Sequence, residues 1–513
     1  MTLPIYRAVA GRLPLRATTA SAPRLGSAGL RFASTSTPAS SSATAAAAAA
    51  AKAAPVKKGK RSYGTIAAAA SVVSVAGYFY FTDNRSSAHR YIFPPLLRLL
   101  IPDGERAHEF TIDFLKTSYK YGFHPRERGN PDAKGDLMVN IFGYNVLNPI
   151  GIAAGLDKNA DVPDPFLAIG PGIVEVGGIT PLPQPGNPGT RIFRIPSQQA
   201  LINRCGLNSK GADYVAETLR ARVADFAKRE GFGAGDVAER RVLDGEAGVP
   251  PGSLTEGKLF AVQIAKNKTT PNDDIEAIKR DYVYCVDKLG KYADILVVNV
   301  SSPNMPGLRD LQANHPLTQI LSSVVDAAAK IDRKTKPFVM VKVSPDQDSQ
   351  DQLAGVCSAV WASGVHGVIV GNTTSKRPAP LPETGNLSKD EQKTLTETGG
   401  FSGPHLVGTT IDMVARYRDM LEKPIREGTI KPRPESESMV SKLPDASTWD
   451  KNARKVLFAS GGITNAQNVL DAQKAGAKCA MIFTTLVYNG TGTVTRMKSE
   501  MRDIMKKDNS ASN

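Results

Sequence analysis

Acidic residues are absent from Met1 to Thr82 of this 513-residue chain, whereas ten Lys and Arg fall in that stretch. The formal net charge of +15 therefore belongs mostly to a leader. About +5 is left for the remaining chain, too little to mark a fold built around nucleic acid. Cysteine is also scarce. Cys205, Cys285, Cys357 and Cys479 are widely spaced, with no CxxC and no pairing with His. That excludes a disulfide frame and the usual metal-site spacings, and leaves packed thiols. No GxGxxG follows the first candidate strand, so the main mark of a doubly wound sheet, the alternative α/β architecture, is missing. The residues that are present, 41% hydrophobic and 22% charged, suit a globular core.

The N-terminal region divides into three. Residues 1–42 carry Arg7, Arg12, Arg16, Arg24 and Arg31 among Ala, Ser, Thr and Leu. This is the composition of a mitochondrial presequence, with a disordered basic tail as the alternative. Residues 43–64 form a low-complexity linker that holds an alanine run and the cluster Lys57-Lys58-Gly59-Lys60-Arg61. Residues 65–81 contain no charge and close on Tyr78, Phe79, Tyr80 and Phe81. Their length reaches the lower limit for a transmembrane helix, and the aromatic end has the character of an interfacial belt. A buried helix is the alternative. With Lys57 to Arg61 held on the matrix side, a single-pass anchor in the inner mitochondrial membrane would leave the rest facing the intermembrane space.

Downstream, short apolar runs alternate with helical stretches. The runs are Pro149–Ala154, Gly172–Ile179, Leu259–Ala265, Ile295–Val300, Pro337–Val343, Gly367–Gly371, Lys455–Ser460 and Cys479–Thr484. Most are continuously apolar, as strands covered on both faces must be. Helical periodicity separates them at Tyr214–Lys228, Asp273–Leu289, Leu317–Ile331, Gln350–Ser363, Thr409–Leu421 and Ala466–Ala475. The expected fold is an α/β (β/α)8 TIM barrel over residues 135–505. Insertions are expected near 221–257, 375–400 and 423–454, the last as a flexible, Pro-rich surface segment. Nearly every strand ends in a short motif of Gly, Asn, Ser, Thr or Lys (AAGLDKN, GGITP, AKNK, NVSSPN, KVSPD, GNTT, SGG, FTT). Strand C-terminal ends are where a TIM barrel carries its active site.

Seven stretches, in order, carry a specific resemblance: NPIGIAAGLDKN (148–159), GNPGTRIFRIP (186–196), INRCGLNSKG (202–211), VNVSSPNMPGLR (298–309), VKVSPD (341–346), GNTTSKRP (371–378) and TGGFSG (398–403). Together they resemble the class 2, quinone-dependent dihydroorotate dehydrogenases. The resemblance implies a TIM barrel holding FMN, with dihydroorotate, oxidised to orotate, as electron donor and ubiquinone as acceptor. Such a reaction removes a proton from C5 and a hydride from C6, so a base must face the substrate opposite the flavin. By resemblance that base is Ser302, the second serine of NVSSPN. Asparagine amides donate and accept together and suit the edges of a planar amide ring. The resemblance puts Asn203, Asn299, Asn304, Asn372 and Thr373 on the substrate, with Arg204, Gly206 and Leu207 beside Asn203 and with Lys158 near both substrate and flavin.

The resemblance places FMN against Ala153, Ala154, Gly155, Gly178, Gln263, Asn299 and Gly371, with Lys342 supplying a cation at the flavin edge. Ser402, Gly403, Gly461, Gly462, Phe483 and Thr484 fall on the loops around the seventh and eighth strands, where TIM barrels commonly bind phosphate. Five positions depart from the family pattern. Gln263 stands for an asparagine, Gly178 for a serine, Gly371 for a threonine, and Cys205 and Phe483 for tyrosines. Ahead of the barrel, residues 89–128 read as two amphipathic helices broken at Pro102-Asp103-Gly104. In the family such a pair forms a hood over a quinone tunnel. Its lining here would be Phe93, Leu96, Leu97, His108, Thr111 and Phe114, with Arg194 at the inner end.

Overall fold

The computed structural model of the chain describes residues 63–511, apart from 306, 308, 313, 382–386 and 432–442. The expected presequence and nearly all of the basic linker lie outside the described residues. Eight parallel strands close into a barrel: β1 (Ile150–Ile152), β2 (Ile173–Ile179), β3 (Leu259–Ile264), β4 (Ile295–Asn299), β5 (Phe338–Val343), β6 (Gly367–Val370), β7 (Val456–Ser460) and β8 (Cys479–Ile482). Each pairs with the next in chain order, and β8 returns to β1 with Ala480 opposite Ile150. All eight expected strands are present. Their buried, β-branched runs match strands walled by side chains within and helices without. The six expected helices are present too, as Ala212–Arg229, Ile275–Leu289, Asn314–Ala329, Gln350–Ser363, Val407–Arg426 and Ala466–Lys474.

Strand alternation builds the barrel interior in layers. Ile173, Leu259, Ala261, Ile295, Val297, Phe338 and Met340 form one buried apolar cluster inside the strands. Val174, Val262, Val298 and Val341 join a second cluster, which packs under the helices. An antiparallel hairpin, Val139–Ile141 with Tyr144–Val146, closes the lower end. There the Phe142 ring stacks on Phe338 with centroids 4.4 Å apart.

Trp449 stands edge-on to both of those rings, at 5.9 Å and 5.5 Å. This corrects the reading of 423–454 as a flexible surface insertion. Its first residues complete the helix Val407–Arg426, and Leu443, Ala446 and Trp449 pack onto the barrel floor. Asp445 accepts from Lys336 N at 2.8 Å and Pro444 O accepts from the Tyr144 hydroxyl at 3.2 Å. Only the middle, 432–442, lies outside the described residues. Proline content masked three anchoring apolar side chains.

The other two insertions also contain structure. Residues 221–257 include a second helix, Asp236–Leu243, and 375–400 include Lys389–Leu395, opened by a Ser388/Glu391 capping box. Strands Ile192–Ile195, Ala200–Asn203 and Gly400–Ser402 form an antiparallel sheet. A bridge between Thr374 and Phe401 ties this sheet to the β6 loop.

On the N-terminal side, Tyr63–Thr82 is a continuous helix, long and apolar enough to cross a membrane and almost wholly exposed. Its far end is fastened to the hood. Tyr78 OH donates to Gly122 O at 3.1 Å, the Arg126 guanidinium hydrogen-bonds Tyr78 OH, and Arg128 lies 4.6 Å over the Phe79 ring. The hood helices are Ala88–Tyr91, Phe93–Leu100 and Gly104–Lys120. Asp103 caps the last by accepting from Glu105 N and Arg106 N, which is why the break falls at Pro102-Asp103.

Candidate active site

The alternation that fills the barrel with apolar layers ends in a polar one. Two residues further along each strand from Ile173, Ala261, Val297 and Met340 come Glu175, Gln263, Asn299 and Lys342, none more than 4% exposed. They form one chain of bonds. The Glu175 carboxylate accepts from Lys342 Nζ at 3.1 Å, Gln263 Nε2 at 2.6 Å and Ala154 N at 2.9 Å. Gln263 Oε1 accepts from Asn299 Nδ2 at 2.7 Å. Asn299 Oδ1 accepts from both the amide and the hydroxyl of Ser301, and Asn372 Nδ2 donates to Ser301 Oγ at 2.8 Å. Five consecutive strands, β2 to β6, thus contribute to one layer, with Ser302 buried beside it. Glu175 and Ser301 were not singled out from the sequence. An acid inside the otherwise apolar run IVEVGGI was the signal for Glu175.

Asn203 and Asn304 meet directly. Asn304 Nδ2 donates to Asn203 Oδ1 at 3.1 Å, and Asn203 Nδ2 donates to Gly400 O at 3.4 Å. Thr373 closes on the same point, since a Cβ on Gly400 would stand 2.1 Å from its Oγ1 and 3.0 Å from Pro303. Leu207 lies against Gly178, where an added Cβ would meet Leu207 Cδ2 at 3.0 Å and Gln263 Oε1 at 3.2 Å. Gly206 backs onto Asn187. Arg204 differs from the others. Its guanidinium binds Glu397 at 2.7 Å, Thr398 and the Thr190 carbonyl, and lies over Phe193, while its backbone N–H donates to Arg191 O and its carbonyl accepts from Asn187 Nδ2.

Lys158 stands at the hood boundary, 3.9 Å from Glu105 and 4.0 Å from Cys205 Sγ. Glu105 is itself gripped by Arg191 at 2.5 Å. His108, one turn further along the hood helix, donates Nε2–H to Leu156 O at 2.6 Å. Burial, and then the charge of Lys158, push the His108 pKa down to about 4, so the ring is neutral near pH 7. Neither Glu105 nor Arg191 carried a signal in the sequence beyond the hood and GTRIFRIP motifs that hold them.

The phosphate candidates gather at the other side. Thr484 Oγ1 donates to Ser402 Oγ at 2.9 Å. A Cβ on Gly462 would lie 2.2 Å from Val407 N, and one on Gly461 2.7 Å from Thr410 Oγ1. Gly371 (φ +102°) approaches Ser460 O, and Gly155 (φ +102°) faces the Phe483 ring. Gly403 rests on Ala200. Helices Val407–Arg426 and Thr484–Asn489 both start here, so their free N–H groups and these hydroxyls make a donor set suited to a phosphate. Ala153, immediately after β1, is buried. The residues present would fit FMN: small residues at the strand ends, a buried lysine in Lys342, and a donor set suited to a phosphate.

The tunnel candidates lie on the hood. Phe93, Leu96 and Phe114 are exposed, at 41%, 43% and 53%. Leu97, His108 and Thr111 are partly buried. Phe93 packs near Phe81 of the apolar helix, with centroids 6.0 Å apart. Arg194 donates to Pro102 O at 2.8 Å, at the break between the hood helices, and burial lowers its pKa.

The family model for dihydroorotate dehydrogenase matches residues 136–428. The mitochondrial dihydroorotate dehydrogenase (quinone) of Kluyveromyces lactis is 37% identical over 86% of this chain and 87% of its own length. The corresponding Mus musculus protein is 33% identical over 81% and 86%. A crystal structure of DHODH from Eimeria tenella in complex with ferulenol superposes with a TM-score of 0.61 at 29% identity, over 80% of this chain and 95% of that one. The barrel, its polar upper layer and these likenesses agree: the chain belongs to the quinone-dependent dihydroorotate dehydrogenase family.

Proposed function

We propose that this chain oxidises dihydroorotate to orotate with bound FMN and delivers the electrons to ubiquinone, at the inner mitochondrial membrane, in the synthesis of UMP. One observation carries the reading. A polar layer running from Lys342 through Glu175, Gln263, Asn299 and Ser301 to Asn372 caps an apolar barrel and adjoins Ser302 and the Asn203–Asn304 pair.

FMN, when bound, supplies the hydride acceptor. The residues of the chain do the rest. Asn203, Asn299, Asn304, Asn372 and Thr373 orient the substrate ring by amide and hydroxyl hydrogen bonds, and Lys158 offsets its carboxylate. Ser302 takes the C5 proton. A serine hydroxyl is a weak base, so it works only with a hydrogen-bonded route that carries the proton away. Lys342 balances negative charge at the cofactor edge. Gly461, Gly462, Ser402 and Thr484 hold the phosphate. The hood admits the quinone past Phe93, Leu96, Leu97, His108, Thr111 and Phe114 to Arg194. Residues 1–42 address the chain to the mitochondrion, and the helix Tyr63–Thr82 anchors it with the barrel toward the intermembrane space.

Purified protein tests this directly. It should be yellow, bleach on anaerobic addition of dihydroorotate, and regain its colour with ubiquinone. A yellow protein that dihydroorotate does not bleach would overturn the substrate assignment.

A further inference from the structure

Glu175 is a carboxylate with no exposed surface, held on β2 between Val174 and Val176. It accepts three hydrogen bonds and faces the equally buried Lys342 ammonium at 3.1 Å. Apolar residues of the same size would stabilise such a position at least as well as an ion pair, and the barrel layers directly below are apolar. Folding alone therefore does not explain the charge. Lys342, by the reading above, offsets negative charge at the flavin edge, and a negative charge beside that lysine opposes it.

We propose that Glu175 is a positioning residue for the cofactor: it fixes Lys342 and partly cancels its charge, and so keeps the bound flavin a stronger reductant toward the quinone. Gln263 is its second tether. Through the bond from Asn299 to Gln263 and on to Glu175, the substrate-side asparagine and the flavin-side lysine share one anchor. An asparagine at position 263 would be one methylene too short to span the same two partners without a shift.

The inference rests on FMN occupying this site, and the experiment separates the two. Wild type, Glu175→Gln and Glu175→Asp holoenzymes are equilibrated anaerobically with a reference redox dye, and the reduced-to-oxidised flavin ratio is read at fixed dye poise. Glu175→Gln should raise that ratio at least tenfold, which is about 30 mV for a two-electron couple. Glu175→Asp keeps the charge and should stay within about threefold of wild type. A residue with only a packing role would alter flavin content or melting temperature without this signed shift. An unchanged or lowered ratio in Glu175→Gln overturns the inference while FMN binding stands. Wild type without bound flavin overturns the family reading and this one with it. Should Glu175→Gln fail to fold, Glu175→Gln/Lys342→Met, which leaves no buried charge unpaired, is compared with Lys342→Met alone. The double variant must show the higher ratio, and an equal or lower one overturns the inference.

Discussion

His108 of the hood helix donates its Nε2–H to the carbonyl of Leu156 at 2.6 Å, two residues before Lys158. One turn earlier on the same helix, Glu105 stands 3.9 Å from the Lys158 ammonium and 2.5 Å from Arg191. The element proposed to receive the quinone is thus bonded to the loop proposed to receive the substrate. Both contacts belong to the first two turns of the helix, behind the Asp103 cap. Loss of the cap would loosen the loop as well as the hood.

Acid should weaken this junction. His108 titrates at about 4 in the fold against about 6.5 unfolded. Between those values the unfolded chain binds the extra proton. Its stabilising share is therefore complete above pH 6.5 and disappears as pH falls toward 4, a change of about 2–3 kcal/mol. His124 and His366, pushed down to about 4 and about 3 mainly by burial, act in the same direction, so the test is a difference. Melting temperature followed from pH 7 to pH 4.5 should fall less steeply in His108→Gln than in wild type. Parallel curves would show that His108 does not sense this pH range.

Ser302 lies buried next to the bonded Ser301. Ser302→Ala should leave FMN bound and slow flavin reduction by dihydroorotate by about 10²–10⁴-fold, the usual cost of losing a placed general base. Ser302→Cys should retain more, because a thiolate can take the proton. Stopped-flow bleaching of the flavin checks both. Reduction near the wild-type rate in Ser302→Ala would mean that another group removes the C5 proton.

The segment 423–454 should behave as two parts. Replacing residues 432–442 with a short Gly-Ser linker should leave flavin content and turnover nearly unchanged. Trp449→Ala should destabilise by about 2 kcal/mol, below the roughly 3–5 kcal/mol of a fully buried aromatic, because the partly buried indole stands edge-on against the stacked Phe142–Phe338 pair. Thermal unfolding of the two variants gives the comparison. A linker variant that folds but loses turnover would place the segment at the active site.

The barrel was legible because its signal is local: each strand is a short apolar run between breakers, and periodicity finds it without knowledge of partners. The polar upper layer was only half legible. Asn299 and Lys342 stand in strand-end motifs, but Glu175 sits two residues before the glycines of GGITP, inside the apolar run, and its partners lie 21, 88 and 167 residues away. Composition also misled at the barrel floor. Prolines and charges in 423–454 outnumber the three apolar side chains that fix its end, and one well-placed Trp outweighs many loop-forming neighbours once it packs on the barrel floor. The Asn203 and Ser402 motifs were recognised, but not the small sheet that delivers them. Its strands come from 192–203 and 400–402, and only the fold brings so distant a pair together.

The hood should separate the two half-reactions. Flavin reduction requires the barrel groups: Ser302, the asparagines and Lys158. Reoxidation requires a hydrophobic quinone to pass the hood, where Leu96 and Phe114 are about half exposed on a face continuous in character with the apolar helix Tyr63–Thr82. A quinone ring entering there gains roughly 25 cal/mol per Å2 of apolar area buried, and a carboxylate beside it would have to be stripped of water or would keep water in the passage. Leu96 lies on a hood helix with no buried residue and is 43% exposed, so Leu96→Glu should spare the substrate site. We expect that variant to reduce its flavin with dihydroorotate at near the wild-type rate and to reoxidise slowly with ubiquinone. A small water-soluble acceptor should be affected much less, since it need not cross the apolar face. Stopped-flow reduction and reoxidation with the two acceptors measure this. An equal loss with both would mean that the helices only support the fold, and that the quinone reaches the flavin by another route.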